Sequence, residues 1–138
     1  MLLSGKRGRI MNVAILFSSL TLFVFGVHQT ALADPLADEM FASAKETRKQ
    51  LPMKVDEMTT WLTVGTAGRM MVYSYRLEAE GKMISPSFAE KQEATLKYNL
   101  CASSIMSKMM KRGALYTYIY KDIRDRLITE ITVSNSDC

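Results

Sequence analysis

With 138 residues, 48% of them hydrophobic, two cysteines, one histidine and a formal net charge of +4, the chain is long enough for one modest core. Lys6, Arg7, Arg9 and His28 all precede residue 34, which leaves 15 basic against 14 acidic residues and no histidine in 34–138. That balance removes the electrostatic case for nucleic-acid binding, and the missing histidine excludes the common Ser/His/Asp and Cys/His relays and a histidine-rich zinc site.

Residues 1–33 have the three-part layout of a secretory signal: the basic residues, the 17-residue apolar run Met11–Val27, and Ala31-Leu32-Ala33 before Asp34. Cleavage after Ala33 is expected, because the peptidase pocket admits only small side chains at 31 and 33. The expected product is one domain, 34–138, periplasmic or secreted, with no stable membrane insertion after the cut. Seventeen apolar residues sit at the lower edge of what spans a bilayer core. An inner-membrane anchor retained over 11–27 is therefore the alternative.

From Pro35 to Leu51 the residues Leu36, Met40, Phe41, Ala44 and Thr47 fall near helical spacing, with Asp34 as cap and Pro35 in the first turn. Pro52 ends this helix and 51–57 reads as an extended linker. Thr59–Val64 and Arg69–Leu77 are rich in β-branched and bulky residues around Gly65-Thr66-Ala67-Gly68, the pattern of an antiparallel hairpin. Residues 78–82 form a charged loop. Ser87 with Glu90 predicts a capping box, and helical character runs from about Pro86 to Arg112. Phe88, Leu96, Leu100, Ile105, Met106, Met109 and Met110 are its candidate core, with a break after Cys101 that Ser104 caps. Gly113 stops the helix. A second hairpin follows, over 114–121 and 127–133.

An exported chain meets an oxidising compartment, where two cysteines are expected to pair. Cys101 with Cys138 is the one intramolecular choice. The chain-entropy model assigns such a bond about 3–4 kcal/mol. A redox role is disfavoured, since the Cys-x-x-Cys spacing that lowers a thiol pKa is missing.

Several stretches carry a resemblance. Residues 50–56 (Gln50, Leu51, Pro52, Met53, Lys54, Val55, Asp56), Thr60-Trp61-Leu62, Tyr73-Ser74-Tyr75-Arg76-Leu77, Cys101 and Gly113 make its first part. Tyr118-Ile119-Tyr120-Lys121-Asp122, Ile128, Ile131, Val133 and Asp137-Cys138 complete it. On these residues the chain resembles a family of small exported bacterial proteins of unassigned function. The resemblance implies a helix with an antiparallel sheet and a terminal disulfide, and no catalytic assignment. The turn Asp122–Arg126 departs from the pattern by lacking glycine.

Trp61, Tyr73, Tyr75, Tyr116, Tyr118 and Tyr120 form the candidate binding face; the plainer alternative is cross-strand packing beside the core, with hydroxyls at the rim. The tyrosines echo each other: those at 73 and 75 follow Gly68 at the same offsets as those at 118 and 120 follow Gly113. Nine methionines in 34–138 raise the question of copper, but their spacing favours core filling or an adaptable protein surface. Lys108, Lys111 and Arg112 read as a solvated helix end, and Glu78 and Glu80 as solvated carboxylates.

The expected architecture is α+β: an N-terminal helix, a four-stranded antiparallel sheet from two hairpins with a helical segment between them, and one disulfide. The expected function is a non-enzymatic binding or accessory protein of the bacterial envelope, serving an assembly or secretion machine, with a protein partner and no cofactor or metal. The alternatives are an immunity protein against a toxin and a small hydrolase with an unrecognised site.

Overall fold

A computed structural model describes residues 33–138, so the expected signal and all but the last residue of its cleavage motif lie outside the described residues. Asp34 caps helix α1 (Pro35–Arg48): its carboxylate accepts from the backbone N–H of Leu36 at 3.1 Å and of Ala37 at 3.3 Å. Leu36, Met40 and Ala44 are buried, a narrow stripe at i, i+4 and i+8. Phe41, expected with them, lies one position off the stripe and is 54% exposed.

The stretch read as a linker contains a two-residue strand, β1 (Met53–Lys54), antiparallel to β2 (Thr59–Ala67). β2 continues through Gly65 and Thr66, residues whose pattern points to a turn. The chain reverses at Gly68-Arg69, where Gly68 takes φ +56°, and returns as β3 (Met70–Leu77). It then crosses through α2 (Phe88–Ala102) and α3 (Ser104–Lys111) to β4 (Leu115–Lys121), and β5 (Leu127–Val133) pairs with β4.

The sheet is five-stranded and mixed, in the order β1-β2-β3-β4-β5, because β3 and β4 are parallel neighbours. This corrects the four antiparallel strands expected. A helical segment between two adjacent strands carries the chain back to the end of the sheet where the first strand began, so the second runs in the same direction. Two hairpins thus meet through a βαβ crossover.

Ser103, and not Ser104, caps α3 by accepting from the N–H of Met106 at 3.3 Å. The expected box at the start of α2 does not form, since the Ser87 hydroxyl bonds that of Ser85 instead. Leu100 and Met110 are buried, with Phe88, Leu96, Met106 and Met109 packed on the core, while Ile105 is 73% exposed. The helices and the strands share one core that joins Leu36, Met40 and Ala44 to Val64, Met71, Leu77, Leu100, Met110, Ile131 and Val133. On the other side of the sheet Thr117 and Thr132 share a 2.8 Å hydroxyl bond.

The Cys101–Cys138 disulfide joins the last turn of α2 to the chain end, across a Cα separation of 5.4 Å. Lys97 and Asp137 pair at 3.2 Å beside it. In the β4–β5 turn, fully buried Asp122 accepts from the N–H groups of Gly81 (3.0 Å), Arg124 (2.9 Å) and Arg126 (2.9 Å) and from Nε of Arg126 (2.8 Å). The guanidinium of Arg126, with those backbone donors, holds its carboxyl well below the usual carboxylate range. This knot takes the place of the missing turn glycine, with Asp125 at φ 62° completing the reversal.

Candidate binding cleft

Side chains alternate along a strand, so Met71, Tyr73, Tyr75 and Leu77 of β3 point to one face and Tyr116, Tyr118 and Tyr120 of β4 point to the same face. The parallel register sets Tyr73 opposite Tyr118 and Tyr75 opposite Tyr120. Their rings stack at 4.8 Å and 5.1 Å, with interplanar angles of 11° and 19°. The diagonal pair Tyr75–Tyr118 lies at 6.3 Å, and Tyr116 reaches Tyr73 at 6.5 Å. Trp61 of β2 extends the block, 5.9 Å from Tyr75 and 5.6 Å from Tyr73, and Phe88 of α2 meets Tyr120 edge-on at 5.4 Å. All six residues of the candidate face are therefore brought together.

They do not form an open aromatic platform. Tyr116, Tyr118 and Tyr120 are only 2%, 8% and 6% exposed, and each stacked pair covers ring faces with ring faces. What is left over is hydroxyl. None of the five phenol oxygens has a hydrogen-bond partner among the described residues. Buried tyrosine hydroxyls ordinarily find a protein partner.

Burial pushes the phenols of Tyr73 and Tyr120 up to about 12, and those of Tyr75 and Tyr118 higher still, with neighbouring tyrosines adding to the shift at 73, 75 and 118. At neutral pH every one is a neutral hydroxyl, able to donate and to accept.

An apolar depression lies at each end of the block. At the Met71 end, Met40 and Ser43 of α1 face Ile105, Met106 and Met109 of α3 across a pocket of about 200 Å³ floored by Met71, Tyr73 and Tyr116. At the Leu77 end, Met58, Met83, Ile84 and Phe88 line one of about 330 Å³. Ion pairs brace the first end: Glu39 with Arg112 at 2.7 Å joins α1 to the end of α3, and Asp34 with Arg69 at 2.6 Å joins α1 to the β2–β3 turn. The Arg69 guanidinium holds the Asp34 carboxyl below its ordinary range.

This pocket explains part of the methionine content, since residues far apart in sequence converge there. Copper is a poor occupant: Nη1 of Arg112 sits 3.3 Å from the Met109 sulfur, placing a cation where the metal would bind. Among the described residues no three His, Cys, Asp or Glu side chains gather as a metal site. Lys108, Lys111 and Arg112 are exposed at the helix end, as expected, and Arg112 is in addition paired with Glu39. Glu78 and Glu80 are also engaged rather than simply solvated, Glu78 by Thr60 at 2.8 Å and Arg76 at 3.1 Å, Glu80 by Lys82 at 3.3 Å and by Arg124. A larger charged hollow of about 500 Å³ beside Asp122 has its carboxylates and guanidinium groups matched in pairs. No helix among the described residues is long and apolar enough to cross a membrane.

No family model matches the chain, and no curated protein matches it. Three solved structures share its fold. The type II secretion pilotin EpsS of Vibrio vulnificus superposes with a TM-score of 0.65 at 14% identity, over 75% of this chain and 91% of that one. A protein of Pseudomonas aeruginosa, described as secreted, gives 0.62 at 13% identity, over 77% and 98%. The type II secretion pilotin AspS of Vibrio cholerae gives 0.60 at 16% identity, over 75% and 92%. At these identities the likeness is one of fold.

Proposed function

We propose that this chain is an exported, non-enzymatic accessory subunit of an envelope secretion machine, cut after Ala33 and held in the periplasm, which grips a protein segment over its tyrosine block. The observation that carries this reading is the stacked tyrosine block, whose phenol hydroxyls have no partner among the described residues, flanked by two methionine-lined pockets. The fold shared with two type II secretion pilotins supports it, as does the secretory pattern of residues 1–33. The chemistry of the pocket at the Met71 end suits holding: neutral phenols and thioethers surround the space, and its carboxylate, Glu39, is engaged by Arg112.

The test is photocrosslinking in living cells from Ile105 and Met83, exposed residues at the two pockets. Both positions should give adducts with the same component of a secretion assembly, and deletion of the protein should leave secreted cargo inside the cell. No adduct from either position, together with normal secretion in the deletion strain, would overturn the reading.

A further inference from the structure

The residue that caps α1 is also the first one after the expected cut. Asp34 carries four hydrogen bonds of the folded domain. Its carboxylate accepts from the N–H groups of Leu36 (3.1 Å) and Ala37 (3.3 Å) and from Nε of Arg69 (2.6 Å), and its carbonyl accepts from the N–H of Asp38 (3.0 Å). Pro35 already belongs to the helix, and Leu36 is 4% exposed in the core. Ala33 itself is exposed and Asp34 half-buried. The Ala33–Asp34 bond therefore abuts the folded domain with no spacer.

An exposed bond is not enough for a peptidase. The enzyme holds the residues on both sides of the bond extended in its cleft, so 34–36 must leave the helix, and a folded chain is cut only through its locally opened fraction. Opening here breaks the cap of α1, the tie from α1 to the β2–β3 turn and the burial of Leu36 together. The ion pair, partly exposed, contributes least. Bulk acts in the same direction. The apolar run ends at Val27 and residues 28–33 reach at most about 20 Å, so the bond is cut near the membrane surface. A domain with a radius of gyration of about 13 Å, attached directly after the bond, competes with the peptidase for that space.

We infer that the Ala33–Asp34 bond is hydrolysed only before α1 folds onto the sheet: folding closes the processing site, and a chain that folds first keeps residues 11–27 as its anchor. This rests on the proposed cut after Ala33, whose timing it specifies. In the hydrolysis water gives its hydroxyl to the Ala33 carbonyl carbon and a proton to the Asp34 nitrogen as the C–N bond breaks, and nothing else is consumed. The released and the anchored forms thus become two outcomes of one race between the peptidase and the fold.

The test uses the full chain, folded and disulfide-bonded in detergent micelles, with a purified bacterial signal peptidase, and follows the mass of the product. The comparison chain carries an insert of about eight flexible residues between Ala33 and Asp34, opening with Asp and Pro so that the residues directly after the bond are unchanged. The two chains should give the same circular dichroism spectrum, and the chain without the insert should be cut at least about a hundredfold more slowly. Arg69→Ala, which frees Asp34 from the β2–β3 turn, should speed the cut of the chain without the insert by about threefold. Equal rates with and without the insert would overturn the inference and leave the cut after Ala33 standing. A chain with the insert that is not cut after Ala33 either would remove the proposed cut, and the inference with it.

Discussion

Asp122 and the tyrosine block both withdraw polar atoms from bulk water, and they do so in opposite ways. Asp122 is fully buried and saturated, with four donors converging on one carboxylate from two loops. Three of the five tyrosines are nearly as buried and the other two partly so, and their five hydroxyls have no partner among the described residues. A saturated polar group holds structure, because removing it strands every donor around it. A hydroxyl that bonds nothing in the fold adds little to stability beyond what phenylalanine would supply, and is free to bond a ligand.

The largest effect that would sharpen this contrast is at Asp122. Asp122→Ala leaves three backbone N–H groups and a guanidinium without their acceptor, and its thermal unfolding midpoint, read by circular dichroism, should fall further than that of Cys138→Ser, Ser103→Ala or Tyr118→Phe. Next is the chain end: Cys138→Ser should cost about 3 kcal/mol in urea unfolding, since it opens a 37-residue loop while leaving the Lys97–Asp137 pair in place. Ser103→Ala, which removes the α3 cap, should cost about 1 kcal/mol in the same measurement. Smallest is Tyr118→Phe, expected to change stability by less than about 0.5 kcal/mol, because the hydroxyl it removes has no bond to lose among the described residues. A Tyr118→Phe loss comparable to that of Asp122→Ala would erase the distinction between the two regions.

The pH dependence separates the same two regions. The Asp122 carboxyl is held below its unfolded value, so its contribution is complete above about pH 4 and is lost as the pH falls toward the folded value. The phenols are raised, so their contribution is complete below about pH 10 and is lost as the pH rises toward 12. Unfolding midpoints across both ranges should decline at each end, and Asp122→Asn should flatten the acid limb alone.

Local pattern made much of this legible in the sequence. The α1 cap at Asp34, the stop at Gly113, the strand content and the two cysteines all follow from residue chemistry within a few positions. Strand direction was not legible, because it depends on how the α2–α3 segment returns the chain across the sheet, a property no local window contains. The tyrosine echo fits the parallel pair, whose register keeps a constant difference in residue number, but an antiparallel register would also set Tyr73 opposite Tyr120 and Tyr75 opposite Tyr118, so it did not decide the direction. Ile105 and Phe41 depart from expectation for a simpler reason: helical periodicity identifies a stripe, and its width is decided by how much of each helix the sheet touches. Asp122 gave one sign of itself, a hairpin turn without glycine, but the donor from Gly81 comes from a loop 41 residues earlier.

The most direct test of the central claim is the photocrosslink yield from Ile105 in cells carrying Tyr73→Phe, Tyr75→Phe, Tyr118→Phe and Tyr120→Phe together. The variant should accumulate to the same level as the unchanged protein and lose the adduct, because the fold needs the rings and the partner needs the hydroxyls. An undiminished adduct at equal protein level would contradict the account.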